Sequence, residues 1–255
     1  LAGEQMVSQV QVTVQELQLG GELLRCGIVD SVATRPEHRQ RGLARALMER
    51  AHTAMRELAD VDAAVLYTNP ADHPYRFYGR LGYLTRAQAA LVAGPRPDVN
   101  PTVEPVDAGE HAQALVALLN DYYCNYEGYA PLDEELWRWH KVEAPESNAM
   151  VVNAAVRGQE AVATVSFAEG EILLGGQRRQ VTLAYDLAAT ELSATSLAAL
   201  LAAAPRDWVA MIVDERSTEM ALARALGWQS QVGEVAMVLP FSPKAKYHPK
   251  DAGPE

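Results

Sequence analysis

The chain has 255 residues, 49% of them hydrophobic and 22% charged, a composition typical of folded globular proteins and unlike that of disordered ones. Its net charge of -11 argues against nonspecific nucleic-acid binding, which requires a clustered positive surface. No apolar run reaches the ~20 residues of a membrane-spanning helix and no signal peptide opens the chain, so we expect a soluble cytoplasmic protein with neither nucleic-acid nor membrane partners.

The elements predicted before residue 94 interleave strands with helices. Residues 7–19 alternate apolar with polar side chains, as a half-buried strand does, and a largely apolar strand follows. Gly82 is predicted to end the second helix. The predicted elements are a strand over 7–19, a strand over 26–34, an amphipathic helix over 43–58, a strand over 62–68, a short helix over 76–81 and one more strand.

A proline-rich stretch, GPRPDVNPTVEP, divides the chain, because proline denies a segment both helix and ladder hydrogen bonds. The alternation of strands and helices on both sides of it predicts an α/β architecture. After it we predict helices over 112–122 and 134–141, a hairpin turning at Arg157 and Gly158, an alanine-rich helix, a strand over 208–213, a helix and a last strand. The predicted domains are 1–94 and 102–242, with a linker over 95–101 and a polar tail over 243–255.

The two domains resemble degenerate copies of each other, because their matching segments occur in the same order. The offset between matched residues is 155, then 156, and finally 145, which implies that the second copy lacks 11 residues before its last helix. The first copy has no counterpart of residues 102–155, so we expect an upstream extension or another segment to complete its sheet. The matches are ELQLGG at Glu16 with EILLGG at Glu171, DSVAT at Asp30 with DLAAT at Asp186, and LGY at Leu81 with LGW at Leu226.

One loop of the first copy has the features of a phosphate-binding site. In RPEHRQRGLARAL, Gly42 permits close backbone approach, and Ala44 is too small to block it. The amides at the start of the following helix lack intrahelical partners, and the helix dipole favours an anion there. Arg39, Arg41 and Arg45 add positive charge. The simpler interpretation is an ordinary helix start, and the loop lacks both the Walker and the three-glycine dinucleotide patterns.

The segment RQRGLA resembles motif A of the GNAT superfamily of N-acetyltransferases, which Arg39, Gly42 and Ala44 match. The preceding VDSVATRPEHR resembles the splayed central strand of that family, and FYGRLGY, from Phe77, resembles its last helix. The tandem arrangement resembles the enhanced-intracellular-survival branch. The resemblance implies tandem GNAT-like (acyl-CoA N-acyltransferase) domains with mixed, mostly antiparallel sheets flanked by helices. It also implies direct transfer of an acetyl group from acetyl-CoA to an amine of a small molecule or peptide.

The resemblance assigns site residues as well. It implies that Tyr78 protonates the departing thiolate, because a thiolate leaves more easily when it is protonated as the bond breaks. The cofactor contacts that it implies are the backbone of Val32, Ala33 and Thr34 along the pantetheine arm, Arg39 and the amides of Gln40, Arg41, Gly42, Leu43, Ala44 and Arg45 at the pyrophosphate, and Asn69 beside the pantetheine.

Both catalytic candidates have a structural alternative. Tyr78 could be a half-buried core aromatic on a short helix. Asp30 shares a strand face with Ile28 and Val32 by period-two alternation, which would place it beside the acyl group as the base that deprotonates the amine. A water chain could do the same work, and Asp30 could be a structural hydrogen-bond acceptor.

The second copy lacks the cofactor-binding features of the first. It has no glycine from Gln177 to Leu226, and Ala223 and Asp214 stand where Tyr78 and Asn69 stand in the first copy. We therefore expect one acetyl-CoA per chain and a structural second domain that covers the first, walls the acceptor pocket or forms an oligomer contact.

Other classes of function are disfavoured. The alternative to an enzyme is a non-catalytic acyl-CoA-binding or scaffold protein, which would not need both RQRGLA and Tyr78 at matching spacing. A phosphate-loop hydrolase would need a lysine and a metal-binding hydroxyl that the loop lacks. No set of His, Cys, Asp and Glu has metal-ligand spacing, and Cys26 and Cys124 suggest no disulfide framework.

Overall fold

A computed structural model of the chain describes residues 5–57, 60–144 and 150–245. Among these residues, no helix is both long and apolar enough to cross a membrane. The helices are α1 (Leu43–Glu57), α2 (His73–Arg80), α3 (Ala112–Tyr123), α4 (Glu134–Arg138), α5 (Ala194–Leu201) and α6 (Thr218–Ala225). The strands are β1 (Ser8–Leu19), β2 (Glu22–Thr34), β3 (Ala63–Thr68), β4 (Leu84–Pro95), β5 (Glu104–Pro105), β6 (Met150–Arg157), β7 (Glu160–Leu174), β8 (Gln177–Ala189), β9 (Trp208–Asp214) and β10 (Gln229–Pro240).

The predicted helices differ from the observed ones mainly at their ends. The last position of the predicted helix over 43–58 lies outside the described residues. Helix α2 starts three residues before the predicted Arg76, because Pro74 favours the first turn of a helix. Helix α4 continues as a π-helical turn, Trp139–Glu143. The α/β architecture is as predicted.

The chain forms two compact units whose segments alternate along the sequence. Unit 1 consists of residues 1–87, 125–130 and 234–255. Its sheet has the order β1-β2-β3-β10, with β2 parallel to β3 and the other pairs antiparallel. Helices α1 and α2 share an apolar core on one face of this sheet, which we call the helix face; its members include Val29, Met48, Met55, Tyr78, Tyr83 and Met237. The opposite face, the open face, has a second core that includes Leu17, Leu24, Cys26, Val65 and Val238.

Unit 2 consists of residues 88–124 and 131–233. Its strands have the order β4-β9-β8-β7-β6-β5. Helices α5 and α6 share one core with the sheet, which includes Phe167, Leu197, Leu200, Met220 and Trp228. A second core is formed with α3 and α4 and includes Leu115, Leu119, Trp137, Val152 and Ala188.

The predicted internal repeat is visible in the strand registers. In unit 1 the pairs Gln9↔Ala33 and Gln11↔Asp30 enclose a bulge, and in unit 2 the pairs Thr164↔Ala188 and Ser166↔Tyr185 enclose the same bulge. The offset is therefore 155 at every position around the bulge (164 minus 9), and Asp30 corresponds to Tyr185 rather than to Asp186. The later elements keep the offset of 145, so the second copy is shorter by 10 residues (155 minus 145) and not 11.

Each unit completes its sheet with a strand from the other half of the chain. Strand β4 follows α2 in sequence, yet its residues 89–95 pair with β9 of unit 2. Strand β10 follows α6, yet its residues 235–240 pair with β3 of unit 1. Val235 and Met237 thereby enter the helix-face core of unit 1. Neither sheet can be completed by a contiguous half of the chain.

Candidate active site

The site begins where two parallel strands of unit 1 separate. Strand β2 pairs with β3 only from Cys26↔Ala63 to Ile28↔Val65, although both strands continue beyond this point. Val32, Ala33 and Thr34 lie on the diverging part of β2, where Ala33 and Thr34 still pair with β1. Among the described residues, no ladder occupies the edge of this part that faces β3. Such an opening at the carboxyl ends of parallel strands is a common place for a ligand.

A bulge at Ser31 decides which side chains face which side of this opening. Ser31 has a φ of 50°, which adds one residue to β2 and breaks the period-two alternation. Val29 and Val32 both pack on the helix-face core, whereas Ile28 packs on the open-face core. The expected grouping of Asp30 with Ile28 and Val32 on one face is therefore wrong for Val32. Asp30 is exposed, and by alternation it lies on the open face, the face on which Ile28 packs.

The loop before α1 leaves the first amides of that helix without intrahelical partners. Gln40 has a φ of 60° and Gly42 a φ of 76°. The Gly42 carbonyl accepts the Ala46 amide at 3.0 Å, so Gly42 is the N-cap, and the amides of Leu43, Ala44 and Arg45 begin the helix. A Cβ on Gly42 would meet no protein atom within 4 Å. With no acidic residue in the first turn of α1, this end of the helix suits an anion.

Three exposed arginines surround these amides, and each has one partner that orients it. Arg39 Nε donates to the Thr34 carbonyl at 3.1 Å, and Arg41 Nη2 donates to the Glu37 carbonyl at 3.1 Å. Arg45 Nε donates to Glu49 Oε1 at 2.8 Å. A guanidinium has five N–H donors, so the remaining donors can bind phosphate oxygens.

Asn69 follows the last residue of β3 and is exposed. Its Oδ1 accepts the Ala71 amide at 2.9 Å, and its carbonyl accepts the Asp72 amide at 3.1 Å. This turn fixes the orientation of the side chain. Its Nδ2 remains as a donor at the end of the strand, beside the opening between β2 and β3.

Tyr78 lies on α2, on the helix face of the sheet, and is 8% exposed. Its ring packs against Phe77 at 5.3 Å and against Tyr83 at 6.0 Å between centroids. A phenol is protonated at neutral pH at its ordinary pKa, and burial raises the pKa of the Tyr78 hydroxyl further. Within the described part of the chain this hydroxyl has no hydrogen-bond partner. A protonated phenol without a partner fits the requirements of a proton donor.

A buried polar pair behind Tyr78 was not predicted from the sequence. His52 Nε2 lies 2.9 Å from the Tyr83 hydroxyl, and His52 is 6% exposed. Burial, followed by the charge of Arg56, lowers the pKa of His52, and burial raises that of Tyr83. The amide of Tyr83 also donates to the Tyr78 carbonyl at 3.2 Å. The period of α1 placed His52 near its apolar stripe, but nothing local identified its partner.

Tyr67, on β3, was not identified from the sequence either. It is 48% exposed on the open face, at the end of an otherwise buried strand. The sequence feature that could have indicated Tyr67 was a tyrosine near the end of a run of apolar residues. That signal does not distinguish a site residue from a strand end.

The corresponding region of unit 2 is filled by its own side chains. Leu187 corresponds to Val32, and its carbonyl accepts the Tyr123 hydroxyl at 2.5 Å. Helix α5 begins with a capping box in which the Ser193 side chain accepts the Ser196 amide, whereas α1 begins with a glycine. Ala223 stands in place of Tyr78 and is fully buried. In unit 2, therefore, side chains of the protein bind a carbonyl of the strand that corresponds to β2 and an amide at the start of the helix that corresponds to α1.

Comparison with known proteins gives one match to a domain family and several solved structures of similar fold. Residues 1–85 match the sequence model of the acetyltransferase (GNAT) domain. The fold resembles that of a probable N-acyltransferase of unknown function from Enterococcus faecalis, with a TM-score of 0.71 at 15% identity, over 95% of this chain and 61% of that one. A GCN5-related N-acetyltransferase from Anabaena variabilis has a TM-score of 0.68 at 17% identity, over 90% of this chain and 58% of its own.

A third solved structure, Eis1 from Mycobacterium abscessus, has a TM-score of 0.63 at 17% identity, over 92% of this chain and 62% of its own. Since these likenesses extend over nearly the whole chain, they include both units. The chain spans about three fifths of the length of these structures. A search of curated proteins found no match.

Proposed function

We propose that this chain, whose residues 1–85 match the sequence model of the acetyltransferase (GNAT) domain, is an acyltransferase that moves an acetyl group from acetyl-CoA directly to an amine. Its GNAT resemblance and its fold, tandem α/β with mostly antiparallel sheets, agree with the comparisons. The observation that carries the proposal is the combination, in unit 1 alone, of an uncapped helix start after Gly42 and an unpartnered Tyr78 hydroxyl. The loop is linked to the end of β2 by the hydrogen bond from Arg39 Nε to the Thr34 carbonyl, and Tyr78 shares the helix-face core with Val32.

The residues present suit acetyl-CoA at this opening. The free edge of Val32, Ala33 and Thr34 offers backbone groups to the amides of the pantetheine arm, as an added strand would. The amides from Gln40 to Arg45 and the guanidinium of Arg39 suit the pyrophosphate, whose charges the start of α1 favours. The Nδ2 of Asn69 can donate to a pantetheine carbonyl.

Tyr78 is the proposed general acid of the transfer. The amine nitrogen forms a bond to the carbonyl carbon of the thioester, and the carbon–sulfur bond breaks. The electron pair of that bond stays on sulfur, which takes the proton of the Tyr78 hydroxyl and leaves as the free thiol. A phenol is protonated at neutral pH at its ordinary pKa, and burial raises the pKa of Tyr78 further, so the proton is present when the sulfur leaves.

The proton lost by the amine needs an acceptor on the other side of the sheet. Asp30 lies on the open face, whereas Tyr78 lies on the helix face, so acid and base approach the reaction from opposite sides. Asp30 is the proposed base. Water remains the alternative, because Asp30 is exposed and solvent reaches the same place.

The rival function is a non-catalytic acyl-CoA-binding scaffold. The protonated Tyr78 hydroxyl, which no described side chain or backbone group engages, favours the enzyme, because a scaffold does not need a proton donor beside the cofactor. Thiol release from acetyl-CoA, measured with and without spermidine, ethanolamine, a lysine peptide and kanamycin, tests the choice. We expect at least one amine to accelerate release. Tight binding of acetyl-CoA without acceleration by any primary amine would favour the scaffold.

A further inference from the structure

Asp30 and Tyr67 flank the opening between β2 and β3 on the same face of the sheet. The last pair of the two strands on the open face is Ile28↔Val65. Because side chains alternate along a strand, the next residues on that face are Asp30 on β2 and Tyr67 on β3. Both are exposed, and they follow the point at which the strands part. The two polar groups therefore stand on opposite sides of the place proposed for the thioester.

A short segment, Asn125–Ala130, lies against Tyr67. It belongs to unit 1, although it lies between α3 and α4 along the chain. Its Gly128 has a φ of 81°, and a Cβ there would lie 3.4 Å from the Tyr67 hydroxyl. Its backbone pairs with Gln18 at the outer edge of β1, through Gly128 N to the Gln18 carbonyl at 2.7 Å and Gln18 N to the Tyr129 carbonyl at 2.8 Å.

An ion pair holds this segment in place. Glu127 Oε1 accepts the Gly20 amide at 2.9 Å and lies 3.0 Å from Arg86 Nη2. The Arg86 side chain is 11% exposed, so the pair is shielded from solvent more than a surface pair is. Ala130 packs on the open-face core. The segment is thus a fixed wall beside the Tyr67 ring.

The repeat provides an independent argument. The residues of unit 2 that correspond to Asp30 and Tyr67 are Tyr185 and Ile212, by the offsets of 155 and 145 that the strand registers define. In unit 2, which lacks the loop and the Tyr78 counterpart, a tyrosine replaces the carboxylate of Asp30 and an isoleucine replaces Tyr67. The combination of a carboxylate on one strand and a phenol on the other at these positions therefore occurs in the unit that has the proposed cofactor site, and not in unit 2.

We propose that Tyr67 is an acceptor-binding residue, whose hydroxyl oxygen accepts an N–H of a primary amine that is also bound by Asp30. Helices α1 and α2 cover the helix face, so the acceptor must reach the thioester from the open face, where this pair stands. A phenol is neutral at neutral pH at its ordinary pKa, and burial raises the pKa of Tyr67 further, so this group can orient the amine without adding a charge. The inference rests on the proposed function, since it names an acceptor contact of that reaction.

The test compares Tyr67→Phe with a matched tyrosine of unit 2, Tyr185→Phe. Tyr185 is 39% exposed and Tyr67 48%, so both variants remove one phenol oxygen from a partly exposed ring. Thiol release is measured with whichever of spermidine, ethanolamine, a lysine peptide and kanamycin the parent acetylates fastest, and acetyl-CoA affinity by calorimetry. We expect Tyr67→Phe to raise the KM of the amine about three- to tenfold, the value of one neutral hydrogen bond, with acetyl-CoA affinity unchanged. Tyr185→Phe should match the parent.

An unchanged amine KM in Tyr67→Phe overturns the inference and leaves the proposed function standing. Weakened acetyl-CoA binding in Tyr67→Phe also overturns it, because Tyr67 would then belong to the cofactor site. If the folded parent binds acetyl-CoA and acetylates none of the four amines, the proposed function fails and the inference fails with it.

Discussion

The hydroxyl of Tyr123 donates a 2.5 Å hydrogen bond to the carbonyl of Leu187, the residue that stands in unit 2 where Val32 stands in unit 1. A strand group that is available to a ligand in unit 1 is thus occupied by the protein itself in unit 2. The capped start of α5 adds to this difference, because its serines satisfy the amides that an anion would otherwise bind.

The first prediction is therefore that one molecule of acetyl-CoA binds per chain. Unit 1 alone keeps the uncapped helix start at Gly42 and a free strand edge near Val32. Isothermal titration calorimetry should give a stoichiometry of one. Two equivalent binding events per chain, or protection of Leu187 rather than Val32 from hydrogen exchange on binding, would contradict this assignment.

The second prediction concerns Gly42, whose missing side chain leaves space beside the helix amides. Gly42→Ala would introduce a Cβ where the phosphate must approach, and we expect acetyl-CoA affinity to fall about tenfold or more, the value of a lost charge-assisted hydrogen bond. The control is Gly158→Ala, at a hairpin turn with a φ of 67° and no atom within 4 Å of a Cβ.

Both substitutions place alanine at a positive φ, so both should cost a similar ~1–2 kcal/mol of stability. Only Gly42→Ala should weaken binding. Equal affinities of the two variants for acetyl-CoA would mean that the loop is only a helix start.

The third prediction follows from the exchange of strands between the units. A piece ending at residue 101 keeps Tyr78 and RQRGLA but lacks Val235 and Met237, and it leaves the edge of β3 without β10. We expect neither this piece nor the piece 102–255 to bind acetyl-CoA alone, and the mixture of both, refolded together, to regain binding.

Thermal unfolding and calorimetry of each piece and of the mixture measure this. Binding of acetyl-CoA by residues 1–101 alone with the affinity of the whole chain would show that β10 is dispensable. Acyl transfer by the piece 102–255 alone would contradict a structural role for the second half.

The fourth prediction is a pH dependence of stability caused by His52. Its pKa is lowered in the folded chain, first by burial and then by Arg56, so below about pH 6.5 the unfolded chain binds a proton that the folded chain resists. His52 therefore lowers the free energy of unfolding as the pH falls from about 6.5 toward its folded pKa, by at most about 1.4 kcal/mol per pH unit.

His52→Gln keeps a hydrogen-bonding partner for Tyr83 and does not titrate. Urea unfolding at pH 7.5 and pH 5.0 should show a smaller loss of stability in the variant than in the parent. The same loss in both proteins would show that His52 does not contribute to the pH dependence.

The sequence predicted most of the local structure of unit 1. The amphipathic period identified α1, and the alternation from Val7 identified β1. The loop at Gly42 was identified because a glycine and a small residue at the start of a predicted helix form a recognisable sequence motif. These features depend on residues that are close to each other in sequence, and hydrophobic periodicity detects only such local relationships.

The bulge at Ser31 could not be predicted, and it changed the assignment of Val32. Serine has no special preference for a positive φ, so the period-two rule placed Val32 on the face of Asp30. The alignment of DSVAT with DLAAT therefore matched Asp30 to Asp186, one residue away from its structural counterpart, Tyr185. The bulge depends on pairing with β1, which is a contact between distant parts of the chain.

The exchange of β4 and β10 was equally invisible in the sequence. Each of these strands has the composition of a last strand of its own domain, and only the three-dimensional pairing shows which edge it joins. The wall at Asn125–Ala130 and the partner of His52 depend on long-range contacts in the same way. The roles of the predicted site residues stay predictions, which the experiments address.

The most direct measurement is the turnover of Tyr78→Phe with saturating acetyl-CoA and an acetylated amine. The ring stays, so packing against Tyr83 and acetyl-CoA affinity should remain, whereas the proton donor is lost. General acid catalysis contributes typically ~10²–10⁴-fold, and we predict a fall in turnover of at least about tenfold. Tyr75→Phe, on the same helix with its hydroxyl 3.0 Å from Thr85 Oγ1, is the control and should turn over like the parent. Turnover of Tyr78→Phe equal to that of the parent would contradict the account, because the proton would then come from another source.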